Sequence, residues 1–139
     1  MKIVYSLVSG GGWVRKILVV EDELMLRVLL GSVLRQKFEC EVVCAAGGNE
    51  AFQLAQNEPF DIVISDYAMP EGTGLDLLWA LRTAKIDTPL IFYTGSSPES
   101  LVPHFSPPVR AIVAKPEIKI LLSCVRESLL QTDPLVCSL

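Results

Sequence analysis

Histidine is nearly absent from this chain of 139 residues, in which His104 is the single example. The four cysteines include one close pair, Cys40 and Cys44, whose spacing is not that of a zinc knuckle or a thioredoxin-like redox motif. A zinc site built from cysteine and histidine is therefore not expected. Reduced, partly buried thiols in a cytoplasmic protein are the simpler interpretation.

Basic residues and long apolar runs are also scarce. Lysine and arginine number 12 against 16 aspartates and glutamates, and the formal net charge is −4. A sequence-independent grip on nucleic acid needs a basic surface, so we expect no direct nucleic-acid binding. No stretch approaches the roughly 18 apolar residues of a membrane span, and the apolar run near the start is too short for a secretory signal. We therefore expect no membrane segment and a cytoplasmic location.

The two ends of the chain lack a clear pattern. Three consecutive glycines at 10–12 close a short apolar run, which indicates an N-terminal extension over residues 1–15. Residues 132–139 contain Pro134 and no periodicity, so we assign them to a C-terminal tail. The intervening residues 16–131 are predicted to form one domain. The whole chain is 50% hydrophobic, which suffices for a packed core.

Strand and helix patterns alternate through this domain. Short apolar runs predict five strands, at 17–20, 41–44, 61–65, 90–93 and 111–114. Apolar residues at helical spacing predict helices at 23–37, 49–56, 75–82 and 118–129. A further short helix should begin at 97–99, where Pro103, Pro107 and Pro108 soon interrupt it. The pattern predicts an α/β fold, a doubly wound five-stranded parallel sheet with five helices.

Charged and hydroxyl side chains directly follow four of the predicted strands. Glu21 and Asp22 follow the first strand, Asp66 the third, Thr94 the fourth and Lys115 the fifth. Each residue alone would be an ordinary helix cap, turn residue or surface charge. The carboxyl ends of parallel strands meet at one edge of the sheet, where such folds bind ligands. Their joint occurrence therefore predicts a functional site at that edge.

The chemistry of these side chains indicates a cation and a phosphoryl group. Three clustered carboxylates repel one another unless a cation lies among them, and hard oxygen ligands with water suit Mg²⁺. A lysine and a hydroxyl opposite the metal suit the oxygens of a phosphoryl group. Transfer of that group to an aspartate makes an acyl phosphate, for which charge neutralisation and alignment supply most of the catalysis.

Three other classes of protein are less compatible with the sequence. A phosphatase of the haloacid-dehalogenase type needs a second aspartate two residues after the first, where this chain has Ala68. A P-loop enzyme needs a glycine loop that ends in lysine and precedes a helix, but Trp13 and a strand follow the triple glycine. A flavodoxin-like flavin carrier needs a phosphate loop after the first strand, where Glu21 and Asp22 would repel the phosphate.

The sequence resembles response-regulator receiver domains in five motifs. These are ILVVEDE (17–23), DIVISDYAMP (61–70), GTGLDLL (72–78), FYTG (92–95) and AIVAKP (111–116). The likeness extends over residues 16–130, nearly the whole predicted domain. It implies a flavodoxin-like sheet with the strand order 2-1-3-4-5.

The resemblance also implies a role for each acidic residue. Asp66 would be the phosphoacceptor. Asp22, Asp66 and the backbone carbonyl of Ala68 would bind Mg²⁺ directly, and Glu21 would act on the metal through water.

The resemblance implies protein partners as well. The phosphoryl donor would be a histidine kinase or a histidine phosphotransfer protein, and the phosphorylated domain would bind a downstream protein that the sequence does not identify. A homodimer is left open.

Lys115 and Thr94 complete the implied site. Lys115 would pair first with Asp66 and then with the phosphoryl oxygens, and the peptide bond to Pro116 would be cis. Thr94 would move to hydrogen-bond the phosphoryl group. The chain departs from the family pattern at Ile112, where receiver domains usually carry a switching tyrosine or phenylalanine. A receiver-like interaction module with little or no phosphorylation-dependent switching is therefore the alternative.

Overall fold

The computed structural model describes residues 14–70, 72–96, 99 and 101–131, in which five strands alternate with four α-helices. The strands are β1 (Arg15–Val20), β2 (Cys40–Ala45), β3 (Ile62–Ser65), β4 (Leu90–Thr94) and β5 (Val109–Ala114). The helices are α1 (Leu24–Lys37), α2 (Gly48–Asn57), α3 (Gly74–Thr83) and α4 (Ile118–Gln131).

All strand pairs in the sheet are parallel, and the strand order is β2-β1-β3-β4-β5. This confirms the predicted doubly wound α/β architecture. The last residues of the two central strands, Val20 and Ser65, lie opposite each other in the register of β1 and β3. The residues that follow these two strands are therefore neighbours at the carboxyl edge of the sheet.

Both faces of the sheet are covered, which explains the near-continuous apolar runs in the strands. Alternate strand residues belong to two separate cores. Leu18, Val63 and Phe92 belong to the core under α2 and α3. Ile64 and Tyr93 belong to the core on the other face, under α1 and α4. A change of register by one residue would exchange these two sets, so the pattern fixes the orientation of each strand.

The expectation of five helices was wrong for the described residues. Among its described residues, the connection from β4 to β5 contains the 3-10 turn Val102–His104 and no α-helix. Pro103 lies within this turn, and the Pro107–Pro108 peptide bond after it is cis. A proline ring removes a hydrogen-bond donor and clashes with the preceding turn, so an α-helix does not continue here. The predicted helix start at Ser97 and Pro98 lies outside the described residues.

Arg82, near the end of α3, holds this irregular connection against the domain by hydrogen bonds. Its guanidinium donates to the carbonyl oxygens of His104 at 3.2 Å, Ser106 at 3.0 Å and Pro107 at 3.2 Å. It also donates to the Ser106 hydroxyl at 2.7 Å and stacks over the Trp79 ring, 5.4 Å from its centroid. Side-chain hydrogen bonds thus replace the backbone hydrogen bonds of a helix in holding this segment.

The predicted domain boundaries stay predictions. Strand β1 begins at Arg15, one residue before the predicted start of the domain. Residues 1–13 and 132–139, which cover most of the predicted extension and the tail, lie outside the described part of the chain. Within the described ranges, no helix combines the length and the apolar character needed to cross a membrane.

The cysteines that the structure describes are free thiols, as predicted. Cys40, Cys44 and Cys124 are all partly buried. Burial raises the pKa of the Cys40 thiol to about 11, so it stays protonated and unreactive at neutral pH. Cys137 lies outside the described residues.

Candidate functional site

Glu21 is held firmly where β1 ends. Its backbone amide donates to the Ala45 carbonyl at 3.0 Å, which continues the pairing of β1 with β2 by one residue. Its Oε2 atom accepts from the Glu23 amide at 3.1 Å, and Arg27 donates to its carbonyl oxygen at 2.7 Å. The residue is 2% exposed. A carboxylate buried in this way needs compensating positive charge.

Asp66 lies directly after β3 and beside Glu21. Its amide donates to the Val20 carbonyl at 3.0 Å, so the central pairing also extends into the site. Its Oδ1 atom accepts from the Tyr67 amide at 2.7 Å. The residue is 9% exposed, so its carboxylate is mostly buried at the carboxyl edge of the sheet, with a small part left to solvent. The backbone hydrogen bond from Tyr67 orients this carboxylate.

Gly74, the first residue of α3, packs against the backbone of Asp66. Its amide donates to the Tyr67 carbonyl at 2.8 Å. A Cβ atom at this position would collide with the Asp66 carbonyl oxygen and would lie 2.9 Å from both the Tyr67 Cα and the Phe92 Cε1. The close approach of α3 to the site therefore requires glycine here.

Lys115 bridges the two buried carboxylates. Its Nζ lies 2.8 Å from Oε1 of Glu21 and 3.0 Å from Oδ2 of Asp66. Its amide donates to the Thr94 carbonyl at 2.9 Å, and its peptide bond to Pro116 is cis, as the resemblance implied. Burial lowers the pKa of Lys115, but the hydrogen bonds and charges of Glu21 and Asp66 outweigh burial and raise it. Lys115 therefore stays charged.

Three carboxylates gather beside this lysine. One oxygen from each of Glu21, Asp22 and Asp66 lies within 4.8 Å of the others. Burial raises the pKa of Glu21 against the opposing effect of Lys115, and the charge of Asp66 raises it further. Asp22 is exposed and opens toward solvent. An all-oxygen set with one open side fits a hard divalent cation that keeps part of its water shell.

Thr94 and Ala68 are the two remaining residues of the predicted site. Thr94 ends β4 and is 1% exposed, and its hydroxyl accepts from the Ser96 amide at 3.0 Å. Ala68 lies two residues beyond Asp66, exposed in the loop between β3 and α3. The structure thus brings Glu21, Asp22, Asp66 and Lys115 together. Thr94 is joined to Lys115 by a hydrogen bond between their backbones. The role of each residue stays a prediction.

Sequence reasoning missed three residues around the site. Arg27 donates to the backbone of Glu21 and, at 3.4 Å, to that of Asp22. The Gly74 position and the Tyr93 ring, whose centroid is 6.0 Å from the Lys115 ammonium, also escaped notice. Gly74 and Tyr93 lie inside quoted motifs, so a signal was present. The partner of Arg27 is backbone, which leaves no signal in the sequence.

Ile112, at the position of the usual aromatic switch, lies on β5 opposite Phe92 of β4. It is partly buried against the core under α2 and α3. A β-branched side chain in this setting has little rotational freedom. Ile112 therefore contributes to packing and cannot act as a rotating aromatic ring would.

Comparisons with known proteins agree with this geometry. Residues 17–123 match the family described as the response regulator receiver domain. The transcriptional regulatory protein PdtaR of Mycobacterium tuberculosis is 36% identical over 89 residues, which are 63% of this chain and 42% of PdtaR. This chain therefore matches less than half of that relative's length.

Solved structures show the same fold over nearly their whole length. The receiver domain of the Francisella response regulator 1452 has a TM-score of 0.78 at 25% identity, covering 86% of this chain and 99% of that one. The Thermotoga maritima response regulator TrrA, solved in complex with Mg²⁺ and BeF, has a TM-score of 0.74 at 29% identity, covering 82% and 98%. Since the family match spans well over half of the sequence, this chain belongs to the response regulator receiver domains.

Proposed function

We propose that this chain accepts a phosphoryl group on Asp66 in a Mg²⁺-dependent reaction and thereby switches its binding to a downstream protein. The observation that carries the proposal is the position of the Asp66 carboxylate. It lies at the end of β3, clustered with two further carboxylates and 3.0 Å from a lysine ammonium. We further propose that residues 16–131 form the functional unit and that it acts in the cytoplasm.

In the proposed reaction, an Asp66 carboxylate oxygen attacks the phosphorus of the donor. With phosphohistidine as donor, the P–N bond breaks, its electron pair stays on the imidazole, and an aspartyl phosphate forms. Lys115 already contacts the attacking carboxylate, so its ammonium would need only a small movement to contact the phosphoryl oxygens and stabilise their charge. Thr94, at the end of the adjacent strand, would donate a hydrogen bond from its hydroxyl group to one of those oxygens.

The carboxylate cluster would hold the metal. Asp22 and Asp66 would be direct ligands together with the Ala68 carbonyl, and Glu21 would act through water. When bound, Mg²⁺ neutralises charge on the transferring phosphoryl group. A metal at this position also explains why three carboxylates are tolerated within 4.8 Å of one another.

This function can be tested by incubating the protein with acetyl phosphate. With millimolar Mg²⁺, intact-mass spectrometry should show a fraction of molecules carrying one phosphoryl group. Chelation of the metal with EDTA should remove nearly all of the labelling, because the acid cluster then repels the donor. Labelling that is unaffected by chelation, or no labelling at any Mg²⁺ concentration, would contradict the proposal.

The surface around the site indicates how a donor protein could approach. Helix α1 begins two residues after Asp22, and its outward face exposes four large apolar side chains: Leu24, Met25, Val28 and Leu29. A run of exposed apolar residues marks a protein interaction surface. A histidine kinase or histidine phosphotransfer protein must bring its phosphohistidine to Asp66, so we propose that this donor packs on α1.

Replacing Val28 with glutamate should separate protein donors from small-molecule donors. The charge should weaken docking, so transfer from a phosphorylated histidine phosphotransfer domain should slow at least about tenfold, which corresponds to about 1.4 kcal/mol. The domain used should be the one in a panel that phosphorylates the wild type fastest. Labelling by acetyl phosphate should be unchanged.

Val102→Glu is the matched control, because Val28 is 62% exposed and Val102 is 61% exposed. Val102 lies in the 3-10 turn between β4 and β5. The control should transfer at the wild-type rate from both donors. Equal slowing by the two substitutions, or slowing with acetyl phosphate as well, would count against docking on α1.

A receiver-like interaction module that does not switch is the second candidate, and Ile112 is the observation that favours it. Its branched side chain cannot relay a change at Thr94 as a rotating ring would. The two functions differ in what beryllofluoride does to amide chemical shifts. A switching domain should show changes in the Thr94 to Ser96 loop, whereas a static module should show them at Asp66 and the metal ligands alone.

A further inference from the structure

Tyr93 lies under the site, on the face of the sheet opposite to Ile112. Alternation along β4 turns Phe92 toward α2 and α3, and turns Tyr93 toward the core under α1 and α4. Its backbone pairs with Val113 of β5, and the residue is 4% exposed. The ring is therefore fixed by packing, unlike a side chain that swings between buried and exposed positions.

The ring contacts the active lysine. The Lys115 Nζ lies over the Tyr93 ring, 6.0 Å from its centroid, which is within the range of a cation–π interaction. Burial raises the pKa of the Tyr93 hydroxyl and Lys115 lowers it, while the charges of Glu117 and Glu21 raise it further. Tyr93 is thus a neutral ring within electrostatic reach of the same groups that hold Lys115.

Among the described residues, three groups lie near the Lys115 ammonium, and they differ in what would happen to them during the proposed reaction. Oδ2 of Asp66, at 3.0 Å, belongs to the carboxylate that becomes an acyl phosphate. Oε1 of Glu21, at 2.8 Å, belongs to the carboxylate that would act on the metal through water. The Tyr93 ring neither reacts nor binds a metal, so its contact with Lys115 can persist from the resting to the phosphorylated state.

We propose that Tyr93 is a positioning residue that holds the Lys115 ammonium above Asp66 before and after phosphoryl transfer. This inference rests on the proposed function and adds a residue to its machinery. The ring limits the directions in which the lysine can move when its carboxylate partners change.

The test compares Tyr93→Leu, which removes the ring, with Tyr93→Phe, which keeps it. The first readout is the affinity for beryllofluoride in Mg²⁺. Leucine should weaken it about two- to fivefold, as expected for loss of a cation–π contact, and phenylalanine should restore it. The second readout is the chemical shift of the Lys115 ε-methylene protons in metal-free protein. Leucine should remove the ring-current shift that phenylalanine preserves.

Phe60→Leu is the matched control, because Lys16 lies over the Phe60 ring at 5.9 Å, near the opposite edge of the sheet. It should change neither readout, although it also removes a buried ring. If Tyr93→Leu fails to fold, Tyr93→Met replaces it, since methionine fills a similar space without a ring. The inference would be overturned if Tyr93→Leu, or its replacement, changed neither the beryllofluoride affinity nor the Lys115 chemical shift. It would also be overturned if Tyr93→Phe lost as much beryllofluoride affinity as the variant without the ring.

The two readouts separate this inference from the proposed function. If the wild type does not bind beryllofluoride, the proposed function fails, whereas the Lys115 shift in metal-free protein still decides whether Tyr93 positions the lysine. If the wild type binds it and ring loss changes neither readout, the proposed function stands and the inference about Tyr93 is wrong.

Discussion

Asp66→Asn should abolish phosphoryl labelling by acetyl phosphate while the protein stays folded. The amide has nearly the volume of the carboxylate, but its oxygen is a poor nucleophile and it cannot form an acyl phosphate. The Tyr67 amide can still donate to the side-chain oxygen, and Lys115 keeps Glu21 as a partner. Intact-mass spectrometry should show no added phosphoryl group, and circular dichroism should show the wild-type spectrum.

Asp87→Asn provides the control for this substitution. Asp87 is exposed in the connection that leads into β4, away from the carboxyl edge of the sheet. The change in charge is identical, so this variant should be labelled like the wild type. Equal labelling of Asp66→Asn and Asp87→Asn would place the acceptor on another residue and would exclude the proposed chemistry.

Gly74→Ala should have the largest effect on stability. The added methyl group would collide with the Asp66 carbonyl oxygen and with the Tyr67 Cα, and neither backbone atom can move without displacing the site. We expect the free energy of unfolding to fall by about 3 kcal/mol, the upper range for overpacking a buried position. Urea denaturation measures this loss, and acetyl phosphate labelling should fall with it because Asp66 is displaced.

Gly31→Ala is the same substitution at a glycine within α1. The nearest atom to the added Cβ would be Nη1 of Arg35 at 3.2 Å, the flexible end of a side chain that can move aside. Alanine favours the helical state by up to about 1 kcal/mol over glycine, so this variant should be as stable as the wild type or more stable. If both variants lose the same stability, the contact of Gly74 with Asp66 is not the cause.

The sheet architecture, and the position of the charged residues that directly follow its strands, could be predicted because both depend on apolar runs that are local in the sequence. A covered parallel strand needs an apolar run, and the residue after the run must lie at the carboxyl edge of the sheet. Asp66 and Lys115 are 49 positions apart in the chain, yet the pattern predicts both at the same edge, because each directly follows a strand of one parallel sheet. Small errors in the limits of elements, such as β3 beginning at Ile62 instead of residue 61, do not change this result.

Other contacts at the site could not be predicted because they depend on three-dimensional packing. The sequence shows that Tyr93 is aromatic, but only the packing of two helices against the sheet places its ring beside Lys115. Glu21 was expected to act on the metal through water. The structure also places its carboxylate 2.8 Å from the Lys115 ammonium, closer than the carboxylate of Asp66 at 3.0 Å. The prolines indicated that a helix between β4 and β5 would be interrupted, but not that the described residues of this connection would hold a 3-10 turn and no α-helix.

The hydrogen bonds of Arg82 have a consequence for how this protein can evolve. Three of its four bonds to the connection before β5 go to backbone carbonyl oxygens, which every amino acid supplies. The bonds to backbone oxygens do not depend on the side chains of His104 and Ser106, whereas replacement of Arg82 would remove all four bonds. A surface segment held mainly through its backbone can change some of its side chains, and so its specificity for a partner, without rebuilding the proposed phosphorylation site.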